Sequence, residues 1–284
     1  MKLYSVPTGN FKLDGGAMFG VVPKVIWHKL NPADKNNLCT WALRCLLIED
    51  GNRLILIDNG VGDKQDEKFF SYYYLHGKDN LDNSLKKLGF SKDDVTDVFL
   101  THLHFDHCGG SIRREREKLV PNFKKATYWS NERHWTWATH PNEREKASFL
   151  KENIVPIEQS GQLNMVPLFD YANEVVDFSP QIQVRFVHGH TDSMMIPQIR
   201  YKGKTVVFMA DLLPSAAHIP IPYVMAYDMF PLTTLNEKKS FLHTAIQEDY
   251  ILFFEHDPNY ECCTLEETEK GIRPKEFFKL KELG

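Results

Sequence analysis

Apolar positions recur with two different periods along this chain, and the alternation between them outlines an α/β protein. "WALRCLLIED" (41–50) and "RLILIDNG" (53–60) are β-rich runs separated by "DGN", which predicts a hairpin. Upstream, "GAMFGVVPKVIWHKLNPADKNN" (16–37) keeps no period and predicts a short helix with a long surface loop. "DNLDNSLKKLGF" (79–90) has helical spacing and a terminal Gly, and "VTDVFL" (95–100) reads as a buried strand. Helical character returns over 131–153. Strands follow at "VRFVHGH" (184–190), "MMIPQIRY" (194–201) and "KTVVFMAD" (204–211), the last two joined by the turn "YKGK". A helix is predicted over 233–250 and a final core strand at "ILFFEHD" (251–257). With no repeat or linker, the order predicts one domain over 1–284, two- or four-layered, with an irregular N-terminal segment to about residue 38.

Composition narrows the class. Hydrophobic residues make up 42% and charged residues 25% of the 284, as in ordinary soluble globular proteins. The net charge of −4 gives no electrostatic reason to expect nucleic acid as a partner. "RREREK" (113–118) alternates its charges and reads as a solvated helix face rather than a phosphate-binding patch. The five cysteines are odd in number and lack a CxxC pair, so buried thiols in a reducing compartment are expected instead of disulfides or a structural zinc knot. Neither a secretory leader nor an apolar run long enough to span a bilayer is present, so the expectation is a cytoplasmic enzyme with no membrane partner.

The chemistry concentrates in "THLHFDHCGG" (101–110). His102, His104, Asp106 and His107 follow an apolar strand, where ligands commonly bind. In an extended segment His102 and His104 share a side, and the "GG" at 109–110 permits a sharp turn that brings Asp106 and His107 round to them. Imidazoles with a carboxylate suit zinc and related divalent metals. This motif alone leaves a solvated loop or a structural metal open. Three more metal-capable residues also end apolar runs: His190, Asp211 and His256. Five histidines and two aspartates suffice for two adjacent ions sharing one carboxylate.

The order HxHxDH, then GHT, then a strand-terminal Asp and a strand-terminal His, resembles the metallo-β-lactamase-fold hydrolases over about residues 40–260. "LILIDNG" resembles that superfamily's early strand, whose aspartate, here Asp58, supports the metal loop. "HGHTDS" resembles its "PGHTPG" stretch with His188 in place of the proline. The resemblance implies a four-layered αββα sandwich and two divalent metal ions per chain, with Zn2+ the first choice. It implies one metal on His102, His104 and His190, another on Asp106, His107 and His256, and Asp211 between them. Two such cations would acidify a water to a nucleophile near neutral pH. Asp106 is expected also to carry the proton to the leaving group.

Within that superfamily the layout resembles N-acyl-homoserine lactonases, with aryl phosphotriester hydrolases of the methyl-parathion type as the alternative and a redox or non-catalytic metal protein as a distant one. The expected partner is a small lactone or ester, with a homodimer left open. Many such lactonases carry a tyrosine three residues after the bridging aspartate, to polarise the lactone carbonyl; here Pro214 stands there. His218, Tyr223 and Tyr227 are the expected substitute donors, His218 first. "HWTWATH" (134–140), "MFGVVP" (18–23) and "FFSYYYLHG" (69–77) are either core or the lining of an acyl pocket.

Overall fold

The N-terminus is more regular than its pattern suggests. In the structure, a computed structural model describing residues 1–168 and 175–283, Lys2–Asp14 is a single 13-residue strand (β1). Its buried side chains are Leu3, Val6 and Phe11, so they fall three and five apart and no period of two is visible in the sequence. Short helices follow at Gly15–Phe19 and Lys24–Trp27. The predicted hairpin forms from Leu38–Asp50 (β2) and Arg53–Ile57 (β3), antiparallel with Leu46 opposite Ile57, and Gly51 turns it at φ 61°. The chain divides into two compact units, Met1–Gly9 with Leu43–Asn173 and Asn10–Ala42 with Glu174–Gly284.

In the first unit, Asp97–Phe99 (β4) lies parallel to β3 and its C-terminal end leads into the histidine motif. The "RREREK" stretch is a correction: Ile112–Glu115 (β5) and Lys118–Pro121 (β6) form an antiparallel ribbon, not a helix, with Arg116 at φ 55° in the turn. Thr127–Ser130 (β7) and Leu163–Met165 (β8) complete a six-stranded sheet in the order β1-β2-β3-β4-β7-β8. Its core includes Leu47, Leu56, Val98, Leu100, Leu103 and Tyr128, packed with Ile154 and Ile157 of the helix Lys151–Gln159. The helical stretch expected over 131–153 is broken: Glu132–Thr139 is a helix, and Pro141 begins a turn-rich link to the next. The helix at 79–90 forms as Leu81–Lys87, capped by Asn80 accepting from the Asn83 amide at 2.9 Å.

The second unit holds seven strands: Val175–Ser179 (β9), Ile182–Val187 (β10), Met194–Tyr201 (β11), Lys204–Phe208 (β12), Ile251–Phe253 (β13), Cys262–Thr268 (β14) and Gly271–Phe278 (β15). They lie in the sequence order reversed, β15 to β9, and only β12 and β13 pair in parallel. The helix Pro231–Gln247 supplies the crossover that a parallel pair needs. The edge hairpin β14–β15 continues the sheet past the strand expected to be last. Its polar "EET" and "RPKE" segments hide it from a hydrophobicity pattern, as charged edges do. All five cysteines are buried and form no disulfide. Among the described residues no helix is long and apolar enough to cross a membrane.

Lys238 shows how this unit fixes its irregular 218–228 segment. Its side chain is 1% exposed, and Nζ donates to the carbonyls of Pro220, Ile221 and Tyr223 at 2.7, 3.3 and 2.9 Å. Lys238→Met keeps the volume and strands three carbonyls. Chemical denaturation is expected to show a loss of about 2–5 kcal/mol; a loss below about 1 kcal/mol would show that water satisfies those carbonyls instead.

Candidate metal centre

In the first unit the histidine motif hangs from a buried carboxylate. Asp58 follows β3 directly, at φ 55°, and is wholly buried. Its Oδ1 accepts the Thr101 amide at 2.8 Å, its Oδ2 accepts the Thr101 hydroxyl at 2.6 Å, and Oδ2 also lies 3.1 Å from His107 Nδ1. The remaining anchors are comparable. His102 Nδ1 lies 3.1 Å from Thr101 Oγ1, and His104 Nε2 lies 3.0 Å from Glu145 Oε1. Glu145 is 2% exposed and held in turn by the Trp137 indole at 2.6 Å. Each imidazole therefore gives one ring N–H to a fixed acceptor, which sets the tautomer. The other nitrogens face further donor atoms: His102 Nε2 and His104 Nδ1 stand 3.1 Å apart, and His107 Nε2 lies 3.8 Å from Asp106 Oδ2.

Gly109 and Gly110 are needed here for close approach. Neither takes a positive φ; a Cβ on Gly109 would sit 2.0 Å from the Val61 carbonyl oxygen, and one on Gly110 2.3 Å from that of Asn59. The loop is also held by the Leu103 amide donating to His134 Nε2 at 2.9 Å, and by the Asn59 amide donating to the His107 carbonyl at 2.9 Å.

The second unit repeats the device. His190 Nδ1 lies 2.8 Å from Asp228 Oδ1, and Asp228 is 1% exposed. His256 Nδ1 donates to the Ala42 carbonyl at 2.8 Å, while its backbone exchanges with Ala42 and Pro214. Both remaining nitrogens converge on one carboxylate: His190 Nε2 is 3.2 Å from Asp211 Oδ2, and His256 Nε2 is 3.2 Å from Asp211 Oδ1. Asp211 thus presents one oxygen to each of these two imidazoles. Gly189, beside His190, packs so closely on the helix Pro231–Gln247 that a Cβ would meet Thr234 Oγ1 at 2.2 Å. His188, in place of the expected proline, puts its amide on the Glu237 carboxylate at 2.6 Å, and its Nδ1 accepts the Ser193 amide at 3.2 Å. The donor set, imidazole and carboxylate with outer hydrogen-bond partners, fits divalent metals such as zinc.

Glu145 and Asp228 have no counterpart in the sequence reading. They lie 41 and 38 residues from the histidines they hold, in stretches without metal-like spacing. Tyr73 is a further addition. Burial, and after it the Asp106 charge, pushes its phenol up to about 12, so it is protonated at neutral pH.

His218 takes a different part from the expected oxyanion donor. Its ring is 1% exposed and stacks on Phe19 at 4.7 Å and 3°. Ser215 Oγ lies 2.8 Å from Nδ1, and Nε2 donates to the Met18 carbonyl at 2.9 Å. Burial lowers it to about 3, so the ring is neutral and its single N–H is already given to Met18. Tyr223 meets Phe19 edge-on at 6.3 Å, and Tyr227 is 38% exposed. Of the aromatic stretches, Met18, Phe19 and Trp135 are buried core, whereas Phe69 and Tyr73 pack on Phe105 of the metal loop at 5.3 and 4.5 Å.

The sequence pattern of the Metallo-beta-lactamase superfamily matches residues 44–256. An N-acyl homoserine lactonase of Bacillus thuringiensis is 25% identical over 273 residues, 92% of this chain and 94% of the relative. Among solved structures, a probable metal-dependent hydrolase from Staphylococcus aureus aligns with a TM-score of 0.87 at 27% identity, covering 98% of this chain and 96% of its own. AidC, a dizinc quorum-quenching lactonase, aligns with a TM-score of 0.78 at 21% identity, covering 98% and 95%, a likeness of fold.

Asp228→Asn and Glu145→Gln keep shape and remove the charge behind His190 and His104. Each is expected to weaken metal affinity by about 10–100-fold, read by chelator competition, with circular dichroism unchanged. Unaltered affinity in both would mean that these carboxylates do not orient the imidazoles. His218→Ala is expected to lose about 2–4 kcal/mol of stability through its stack and two hydrogen bonds. Stability equal to wild type in a urea titration would remove the packing role.

Proposed function

We propose a lactonase, from the premise that this chain belongs to the Metallo-beta-lactamase superfamily and has the fold of that superfamily's hydrolases. The proposed reaction is the opening of the lactone ring of N-acyl-homoserine lactones by a hydrolase with two divalent metals, Zn2+ first. One observation carries it: five histidines each commit one ring nitrogen to a fixed acceptor, and Asp211 turns one oxygen to each of two of them. On the superfamily's pattern, His102, His104 and His190 are assigned to one metal, Asp106, His107 and His256 to the other, and Asp211 to both. The near full-length similarity to the Bacillus thuringiensis lactonase supports the choice of substrate.

When bound, divalent metals polarise a carbonyl and lower the pKa of water. The chain's own residues supply orientation and proton transfer. Asp58, Glu145 and Asp228 hold three imidazoles in one tautomer each. In hydrolysis a water oxygen bonds to the carbonyl carbon, the ring C–O bond breaks, and the departing alkoxide takes up a proton. Asp106 is the proposed carrier of that proton, taken from the attacking water and returned to the alkoxide. Tyr223 and Tyr227 are proposed as hydroxyl donors to the carbonyl oxygen, since the His218 N–H is committed to Met18.

Zinc-loaded protein should turn over N-hexanoyl-homoserine lactone with a kcat/KM at least about a hundredfold above that for an aryl phosphotriester or a β-lactam. A preference for the phosphotriester would replace the lactonase reading with that of the methyl-parathion type. Asp211→Asn should reduce bound metal from two equivalents to one or fewer and abolish turnover, with the fold retained. Two equivalents and normal turnover in that variant would show that Asp211 is not shared.

A further inference from the structure

The ribbon β5–β6 borders a cavity in the first unit that the proposed hydrolysis does not use. It encloses about 310 Å3 and is lined by Asp63, Lys64, Lys92, Arg113, Arg114 and Asn122. Four of these six are cationic, and they come from three separate segments: the loop after β3, the segment after the helix Leu81–Lys87, and the ribbon. Asp63 is the one carboxylate of the lining.

The cations are incompletely matched by the protein. Lys64 is 7% exposed, and its ammonium, which has three N–H donors, gives one to the Gly109 carbonyl at 2.5 Å. Burial lowers Lys64 to about 8, so a neighbouring anion would restore what water no longer supplies. Arg113 reaches Glu115 through Nη2 at 3.2 Å, but its Nε is buried and has no hydrogen-bond partner among the described residues. Lys92 is paired with the largely exposed Asp82 at 2.8 Å, a pairing that water weakens. A solvated ribbon accounts for the exposed Arg114, but neither for a buried guanidinium N–H without an acceptor nor for a buried lysine beside it.

A metal ion would be repelled here, and a neutral ligand would not match the positive charge that Lys64, Lys92, Arg113 and Arg114 keep beyond Asp63, Asp82 and Glu115. A multiply charged oxyanion does, because guanidinium and ammonium groups both donate to its oxygens. The volume is at the low end for small-molecule sites, enough for a phosphate on a short organic stem. We propose that this cavity binds a small phosphate-type oxyanion, as inorganic phosphate or as the head of a small phosphomonoester, through Lys64, Arg113 and Arg114. The proposal is independent of the lactonase reading.

Calorimetric titration of inorganic phosphate into the full, metal-loaded chain at constant ionic strength tests it, beside the double variant Arg113→Gln, Arg114→Gln. Phosphate can also reach a metal centre, and binding there survives the double substitution. The expected result is saturable binding in wild type that weakens at least about tenfold in the variant, with metal content and circular dichroism unchanged. If the double variant folds poorly, Arg114→Gln alone, at an exposed position, should weaken binding about threefold or more. Equal affinity in wild type and variant, or no saturable binding up to about 10 mM phosphate, overturns the proposal. Glycerol phosphate binding more tightly than inorganic phosphate identifies the ester as the ligand; weaker or equal binding identifies the free ion.

Discussion

The carboxylate of Asp58 accepts the Thr101 amide, the Thr101 hydroxyl and the His107 Nδ1 proton at the end of β3, with no exposure to solvent. Three donors on one buried carboxylate satisfy its oxygens and fix the direction of the chain leaving β4. The five metal-motif histidines extend the same constraint. Each yields one nitrogen to a partner held by the fold: Thr101, Glu145, Asp58, Asp228 or the Ala42 carbonyl. A ring fixed in this way presents its remaining nitrogen in a set direction at no further entropic cost.

Backbone geometry carries much of that organisation. Asp58 and Ala210 hold φ of 55° and 41°, conformations that side chains with a Cβ adopt only under surrounding constraint. In the first unit Asp58 follows β3 directly, and in the second Ala210 lies just past β12, immediately before Asp211. Gly109, Gly110 and Gly189 act by the space they leave: each backbone comes so near another segment that a methyl group would collide with it. Strain and close contact of this kind are absorbed by the sheets behind, whose strands are buried through Leu56, Val98, Val207 and Phe253.

How much of this was legible in the sequence follows from the range of the interactions. His102, His104, Asp106 and His107 crowd into six positions after an apolar strand, and His190, Asp211 and His256 each end one, so these residues stand out locally. Glu145 and Asp228 do not, because their partners are about forty residues away and a lone acid in a loop carries no periodic signal. In the sequence His218 reads as a carbonyl donor on the segment after Asp211; only tertiary packing shows it stacked on Phe19 with its N–H taken by Met18, some 200 residues distant. β1 escaped notice because its burial skips the period of two, and β14–β15 because their faces are charged. The "RREREK" ribbon has alternation that suits a strand as well as a helix, and only its pairing decides.

The fold fixes which nitrogen of each metal-motif imidazole is left for a metal. A crystal structure of the zinc-loaded chain, with anomalous scattering at the zinc edge, tests it directly. Metal contacts are expected from Nε2 of His102, His107, His190 and His256, from Nδ1 of His104, and from both oxygens of Asp211. Contacts from His104 Nε2, or from Nδ1 of His107 or His190, would require Glu145, Asp58 or Asp228 to have let go, and would contradict it.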